Sequence, residues 1–194
     1  MNKNEVYENL TSTYKTLSTG MLLTFLSCML FMVTPVNIVI SFVLFILAAV
    51  YAIFKPNKYS FGLYSVAVGM LISGATSIVG TTTLTIAMIA TLAIFLSLTI
   101  YVIKSGKDFS SWGMPLLCML FGIIATSLLN TFLINSTLLG DIINVAGILV
   151  FAGFMLADTS DIVKGNFKNK YQAALSMHLN IVNLFLHILG LSDD

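Results

Sequence analysis

The sequence predicts an all-α integral membrane protein, a bundle of seven transmembrane helices. Hydrophobic residues make up 58% of the 194 residues, charged residues make up only 9%, and the mean hydropathy is +0.98. Water-soluble domains carry about 25% charged residues, so this composition excludes that class. The net charge of +1 offers no basic surface for nucleic acid. We therefore expect the chain to be embedded in the lipid bilayer and not to bind nucleic acid.

Seven apolar segments can be recognised along the chain. Most of them reach the roughly 20 residues that are needed to cross ~30 Å of hydrocarbon. They lie at 17–34, 36–54, 61–79, 82–103, 112–134, 140–162 and 171–190. Because the connections between them are short, we predict one membrane domain at 17–190. A short polar N-terminus precedes it at 1–16, and a short acidic tail follows at 191–194.

Prolines mark three of the predicted helix ends. Pro35 and Pro56 follow the first and second segments, where they stop a helix because proline cannot continue one. Pro115 falls in the first turn of the fifth segment, where its missing N–H donor costs little. The first segment has no small-residue cleavage site, so we expect it to be a retained helix and not a signal peptide.

The positions of the lysines predict the orientation in the membrane. All nine basic residues are lysines, and they fall before the first segment and in every second connection after it. With seven spans, all of them lie on one side, which the positive-inside rule assigns to the cytoplasm together with the N-terminus. Asp193 and Asp194 then lie on the opposite side. The lysines are Lys3, Lys15, Lys55, Lys58, Lys104, Lys107, Lys164, Lys168 and Lys170.

Asp158 is a carboxylate near the end of the apolar sixth segment. A charge inside an apolar segment is costly in lipid and usually marks an ion or substrate path. At about 100° per residue it shares a helix face with Asp161 and Gly147, and we predict that this face points into the bundle. The alternative is that Asp158 is only the solvated end of the span, beside Lys164.

Four polar residues form a helical stripe on the last segment. Ser176, Asn180, Asn183 and His187 follow one another at i, i+4, i+7 and i+11. Such a stripe on an apolar helix favours an interior position. The alternative role is interhelical hydrogen bonding, at about 0.6–2 kcal/mol per contact, which only holds the bundle together. His178 lies off this stripe, so we expect it to be a packing or interfacial histidine.

A stripe of small residues on the third segment has two interpretations. Ser65, Gly69, Ser73 and Thr76 favour close packing of a neighbouring helix over the lining of a pore.

No cluster of His, Cys or Glu has the spacing of metal ligands. We therefore expect no catalytic residues and no resident cofactor.

The end of the chain carries a recognisable pattern. It reads AGILVFAGFMLADTSDIVKG and then YQAALSMHLNIVNLFLHILGL, and shorter matches are SGAT at 73–76, KDFSSWG at 107–113 and AALSMHLNIVNLF at 173–185. These residues resemble the C-terminal signature of the Bax inhibitor-1 family, also called the transmembrane BAX inhibitor motif family. The resemblance extends across about two-thirds of the chain and is most specific at its end.

The resemblance implies a fold and an activity. The family fold is a closed bundle of seven helices whose last helix is central, and a bacterial member is a calcium-leak protein. Two aspartates, one on the sixth helix and one on the seventh, share a proton and gate Ca²⁺ movement according to pH. Asp158 matches the first aspartate, but Asn180 stands at the second position.

This departure has two consequences, which we state as hypotheses. Facing carboxylates share a proton because their like charges repel, and a carboxamide removes that repulsion. Asn180 still offers a neutral oxygen to a hard cation. Ca²⁺ binding at Asp158 should therefore weaken without vanishing, while proton gating should be blunted or moved to lower pH. Alternatively, Asp161 supplies the second carboxylate.

A second departure concerns a basic residue near the end of the second helix, which in the family latches to the first aspartate. The candidates in this chain are Lys55 and Lys58. Lysine gives a single-point, flexible contact and not a planar bidentate one, so such a latch should be looser.

The resulting prediction is a pH-modulated Ca²⁺ leak in a membrane, with a cytoprotective or anti-apoptotic consequence if its host regulates cell death. Its partners would be lipid, Ca²⁺, protons and other membrane proteins. It would occupy the plasma membrane of a bacterium, or the endoplasmic reticulum or Golgi of a eukaryotic or virus-infected cell. The alternative is a non-transporting membrane protein that acts through helix–helix contacts. An intramembrane hydrolase is weakly supported, because only Asp161 could assist Asp158.

Overall fold

A computed structural model describes residues 3–76 and 79–192. Within these ranges the chain forms seven α-helices and no strand, which confirms the all-α prediction. A 3₁₀ turn at Ser110–Trp112 precedes the fifth helix, and a π-helical turn at Asn130–Ile134 follows it. The helices are α1 Lys3–Val33, α2 Ile38–Phe54, α3 Lys58–Thr76, α4 Thr81–Ser105, α5 Gly113–Leu129, α6 Thr137–Lys164 and α7 Lys170–Leu191.

Five helical segments of the described chain are long and apolar enough to cross a membrane, which makes this a multi-pass membrane protein. The helix α2 is apolar but has only 17 residues. The helix α3, Lys58–Thr76, is not among the candidate spans found in the described residues. The count of seven spans remains a prediction. The five candidates are Asn4–Val33, Thr81–Ser105, Ser110–Ile134, Thr137–Lys164 and Lys170–Leu191.

The helix ends agree with the chemistry of the connections. Pro35 and Pro56 lie just beyond α1 and α2. Asn37 caps α2, because its side-chain oxygen accepts a 2.9 Å hydrogen bond from the Val39 N–H. Gly106 ends α4 with a φ of 63°, a left-handed conformation that favours glycine. The polar N-terminus predicted at 1–16 is helical from Lys3 onward and continuous with α1. Residues 193–194 of the predicted acidic tail lie outside the described ranges.

The chain divides into two compact units, and the first comprises Met1–Val79 and Ile162–His178. In this unit α1 and α3 approach closely along their backbones. The hydroxyl of Thr24 donates to the carbonyl of Ser65 at 2.9 Å, and that of Ser27 donates to the carbonyl of Val66 at 2.7 Å. A Cβ at Gly69 would meet the Thr24 carbonyl oxygen, so only glycine permits this approach. The small-residue stripe of α3 thus serves close helix packing, as its composition favoured.

The second unit comprises Gly80–Asp161 and Leu179–Asp194. Here α5 packs on α6 at Gly153, where a Cβ would lie 2.7 Å from Leu116 Cδ2. The backbone N–H of Phe109 donates to Ser160 Oγ at 3.0 Å and ties the connection after α4 to α6. Large apolar side chains such as Phe121 and Leu149 are 64% and 66% exposed. Surfaces of this kind suit contact with lipid and not with water.

Candidate functional site

Asp158 and Asn180 form a buried pair that joins α6 to α7. Their side chains are 8% and 4% exposed, respectively. The Asn180 side-chain amide donates from Nδ2 to Asp158 Oδ2 at 2.7 Å, a short distance that is typical of a hydrogen bond to a charged acceptor. Asp158 is therefore not a solvated helix end. The structure brings together the two residues that the resemblance places at the paired-acid positions.

The pair offers a cation few oxygen ligands. One carboxylate and one carboxamide supply three oxygens at most, whereas Ca²⁺ takes six to eight. Because the amide nitrogen faces Oδ2, the amide must turn before both side chains can direct oxygens to one ion. Among the described residues, no group of three or more His, Cys, Asp or Glu side chains could hold a metal ion. Water or backbone carbonyls would have to complete the coordination of a passing Ca²⁺.

A second polar contact joins α6 to α7 in the same unit. His187 Nδ1 lies 3.1 Å from Asn144 Oδ1, and since a carbonyl oxygen only accepts, the imidazole is the donor. The His187 ring stacks on Phe151 with centroids 5.7 Å apart. A Cβ at Gly147 would collide with this ring, and a Cβ at Gly190 would lie 2.8 Å from Asn144 Nδ2. Two glycines therefore permit the contact.

Asn144 is the site residue that the sequence interpretation missed. It precedes Asp158 by 14 residues, close to four helical turns, and so shares its face of α6. This spacing from Asp158, together with the presence of an amide side chain inside an apolar segment, is the sequence signal by which Asn144 could have been found.

The remaining members of the predicted stripe are Ser176 and Asn183. Asn183 is half-buried, and its amide donates to the Leu179 carbonyl of its own helix at 2.8 Å. Ser176 is half-buried and lies in the part of α7 that belongs to the first unit. The Asn183 amide thus bonds within α7, and the role of the stripe as a supporting row of polar residues stays a prediction.

The other predicted site residues lie at helix ends. Asp161 is half-buried, one turn beyond Asp158 on α6. Lys55 follows the last residue of α2, Lys58 begins α3, and both are exposed. The latch to these lysines and the role of Asp161 as a second carboxylate remain predictions.

His178 lies in the core of the first unit. Its side chain is fully buried, and Nε2 lies 2.9 Å from the hydroxyl oxygen of Thr24. Tyr64 and Phe61 meet the imidazole edge-on, with centroid distances of 5.3 and 6.0 Å. These contacts agree with its interpretation as a packing histidine.

The fold and the site together define a multi-pass helical membrane protein with a buried acid–amide pair between two of its candidate membrane spans. The family model described as "Inhibitor of apoptosis-promoting Bax1" matches residues 6–192. The chain therefore belongs to the Bax inhibitor-1 family.

Three relatives illustrate its range. An uncharacterized membrane protein of Vibrio cholerae is 43% identical over 104 residues, which cover 52% of this chain and 46% of that protein. The Golgi anti-apoptotic protein of Vaccinia virus (strain Lister) is 37% identical over 108 residues, 55% of this chain and 45% of that one. Protein lifeguard 4 of Mus musculus is 35% identical over 104 residues, which cover 53% of this chain and 43% of that protein. The matches thus span less than half of the length of these relatives.

Proposed function

We propose that this protein permits slow, pH-modulated passage of Ca²⁺ down its gradient, with Asp158 as the cation and proton site and Asn180 as a neutral co-ligand. The observation that carries the proposal is the burial of Asp158 against Asn180, at positions where the family resemblance implies paired aspartates. A carboxylate held inside an apolar helix pair is costly, and function is the common reason for one.

The hydrogen bond suggests how the path stays closed. While the Asn180 amide donates to Oδ2, it occupies one face of the only carboxylate in the pair. A Ca²⁺ ion that reaches Asp158 must break this bond and turn the amide, so that its oxygen replaces its nitrogen. A shift of α6 against α7 would open the path, because a packed pair leaves no room for a hydrated ion.

We further propose that seven helices cross the membrane, with the last one central and the N-terminus in the cytoplasm. Support for the orientation comes from the first unit, where Lys15, Lys58 and Lys170 line one groove. Lysines from three separate parts of the chain thus border the same groove, which supports the positive-inside interpretation.

Calcium flux into proteoliposomes tests the transport proposal. The native chain should show flux above that of empty vesicles, and Asp158→Asn should reduce it about ten-fold or more, because the carboxylate supplies the only charge of the pair. Asp141→Asn is the matched control, since Asp141 lies near the opposite end of α6. If Asp161→Asn reduces flux as much as Asp158→Asn, then Asp161 is the second carboxylate. Equal flux in the native chain and Asp158→Asn would refute the proposed site.

A non-transporting interaction protein is the second candidate. It is favoured by the fact that Asn180 satisfies an oxygen of Asp158, so that the pair can simply join α6 to α7. The absence of flux at every pH, combined with a loss of stability in Asp158→Asn, would establish this alternative.

A cytoprotective effect is proposed from the relatives. The names of the Vaccinia protein and of the family refer to inhibition of apoptosis. Expression in cultured cells exposed to an apoptotic stimulus, with Asp158→Asn beside the native chain, tests whether protection depends on the same site.

A further inference from the structure

A groove of about 1220 Å³ lies in the first unit, along α1 from Tyr7 to Leu23, along the N-terminal half of α3 and at the start of α7. The helices α1 and α3 run parallel, since Gly20 contacts Phe61 and Thr24 bonds to Ser65, with the same offset of 41 residues. Positions along α1 and α3 can therefore be compared directly.

The lining of the groove changes in chemistry along the two helices. Lys15 on α1 and Lys58 on α3 line the groove, and Leu23 and Val66 line it eight residues further along the same helices; before Lys15, α1 lines it from Tyr7 to Ser12 with polar side chains and one tyrosine. Eight residues correspond to about 12 Å at 1.5 Å per residue. The groove thus changes from cationic to apolar over about 12 Å, which indicates a ligand with a charged head and an apolar tail.

The part of the groove that the lysines line also has the composition of a membrane–water interface. Lys170 adds a third lysine, and its ammonium lies 5.3 Å from the ring centroid of Tyr171. Tyr59, which is 82% exposed, and Tyr7 line the groove as well. Tyrosine is enriched where hydrocarbon meets the headgroups, because its ring is apolar and its hydroxyl is polar. Among the described residues that line the groove, three are lysines and one, Glu8, is acidic, so this lining has net positive charge.

We propose that this groove binds an anionic phospholipid, with the phosphate at the three lysines and one acyl chain along Leu23, Phe61 and Val66. A soluble anion would leave the apolar part of the groove empty, and a neutral lipid would not require three lysines. The groove belongs to the first unit, whereas Asp158 and Asn180 belong to the second, so the proposed lipid site uses none of the residues of the proposed Ca²⁺ site.

Native mass spectrometry of the purified full chain in detergent tests the charge requirement. The probes are phosphatidylglycerol and phosphatidylcholine with identical acyl chains. The native chain should retain phosphatidylglycerol preferentially, and the double variant Lys15→Gln/Lys170→Gln should retain about 25-fold less of it, given about five-fold per lysine. The control, Lys104→Gln/Lys107→Gln, removes the same charge from the second unit and should change retention by less than about two-fold. Equal retention of the two lipids by the native chain, or equal losses in the two variants, would overturn the proposal.

A steric variant tests the acyl-chain part of the site. A Cβ at Gly62 would meet only Leu23 Cδ1, at 3.9 Å, so Gly62→Leu extends into the groove without backbone strain. It should lower phosphatidylglycerol retention while the thermal midpoint of the protein stays unchanged. Retention equal to that of the native chain would contradict a bound acyl chain. Displacement of phosphatidylglycerol by millimolar inorganic phosphate would show a simple anion site instead and would also overturn the proposal.

Discussion

The side-chain amide of Asn180 donates a 2.7 Å hydrogen bond to the carboxylate of Asp158, and both side chains are buried. The bond satisfies a carboxylate oxygen in a buried position, and a hydrogen bond to an ionised acceptor is stronger than one between neutral groups. The same contact that could close an ion path therefore also stabilises the α6–α7 pair.

Replacing Asn180 by leucine should destabilise the protein by about 2 kcal/mol, because Asp158 loses a charge-assisted hydrogen bond in a buried position. Asn183→Leu provides the control one turn along α7, where the amide donates within its own helix. That variant should cost less than about 0.5 kcal/mol. Thermal unfolding in detergent measures both. Equal losses of stability in the two variants would show that the hydrogen bond to Asp158 contributes no more to stability than the Asn183 bond within α7.

A methyl group at position 147 should disturb the second α6–α7 contact. Gly147→Ala places a Cβ against the His187 ring, so we expect a loss of about 1–3 kcal/mol from overpacking. Gly122→Ala in α5 meets open space and should be neutral, or stabilising by up to about 1 kcal/mol from helix propensity. The thermal midpoints of the two variants measure this difference. A Gly147→Ala protein as stable as Gly122→Ala would contradict the predicted overpacking.

The helix ends and the Asp158–Asn180 pair could be anticipated for different reasons. Pro35 and Pro56 act locally, so the ends of α1 and α2 follow from the sequence alone. The pairing of Asp158 with Asn180 depends on how two helices meet, and here the family resemblance supplied what helical periodicity could not. Periodicity gives the face on which a residue lies but not the residue that it opposes.

The His187–Asn144 contact shows the limit of such reasoning. Both residues lie on faces that periodicity identifies as polar. Their contact depends on the register of α6 against α7 and on a stacked ring orientation that Gly147 permits. Neither the register nor the rotamer is encoded in residue spacing. For the same reason Asn183, on the predicted stripe, bonds to its own helix instead.

The Thr24 hydroxyl connects three helices of the first unit, so its loss should be costly. It donates to the Ser65 carbonyl of α3 and lies 2.9 Å from His178 Nε2 on α7. Thr24→Val keeps the shape but leaves buried polar groups without this partner, and we expect a loss of about 1–3 kcal/mol. Thr85→Val is the control, because the Thr85 hydroxyl is exposed and donates to Thr81 in its own helix. Chemical unfolding in detergent should separate the two variants, and indistinguishable midpoints would refute the expectation.

Asn180→Asp should steepen the proton dependence, which we expect to be blunted in the native pair. Two carboxylates would then face each other at hydrogen-bond distance, and they can approach only while they share a proton. On raising the pH, loss of that proton leaves two buried negative charges, which repel each other and attract Ca²⁺. We expect flux into proteoliposomes to rise more steeply with pH in Asn180→Asp than in the native chain. The double variant Asp158→Asn/Asn180→Asp restores one carboxylate and one carboxamide and should restore the shallow profile. Identical pH profiles for the native chain and Asn180→Asp would show that proton gating does not arise from this pair.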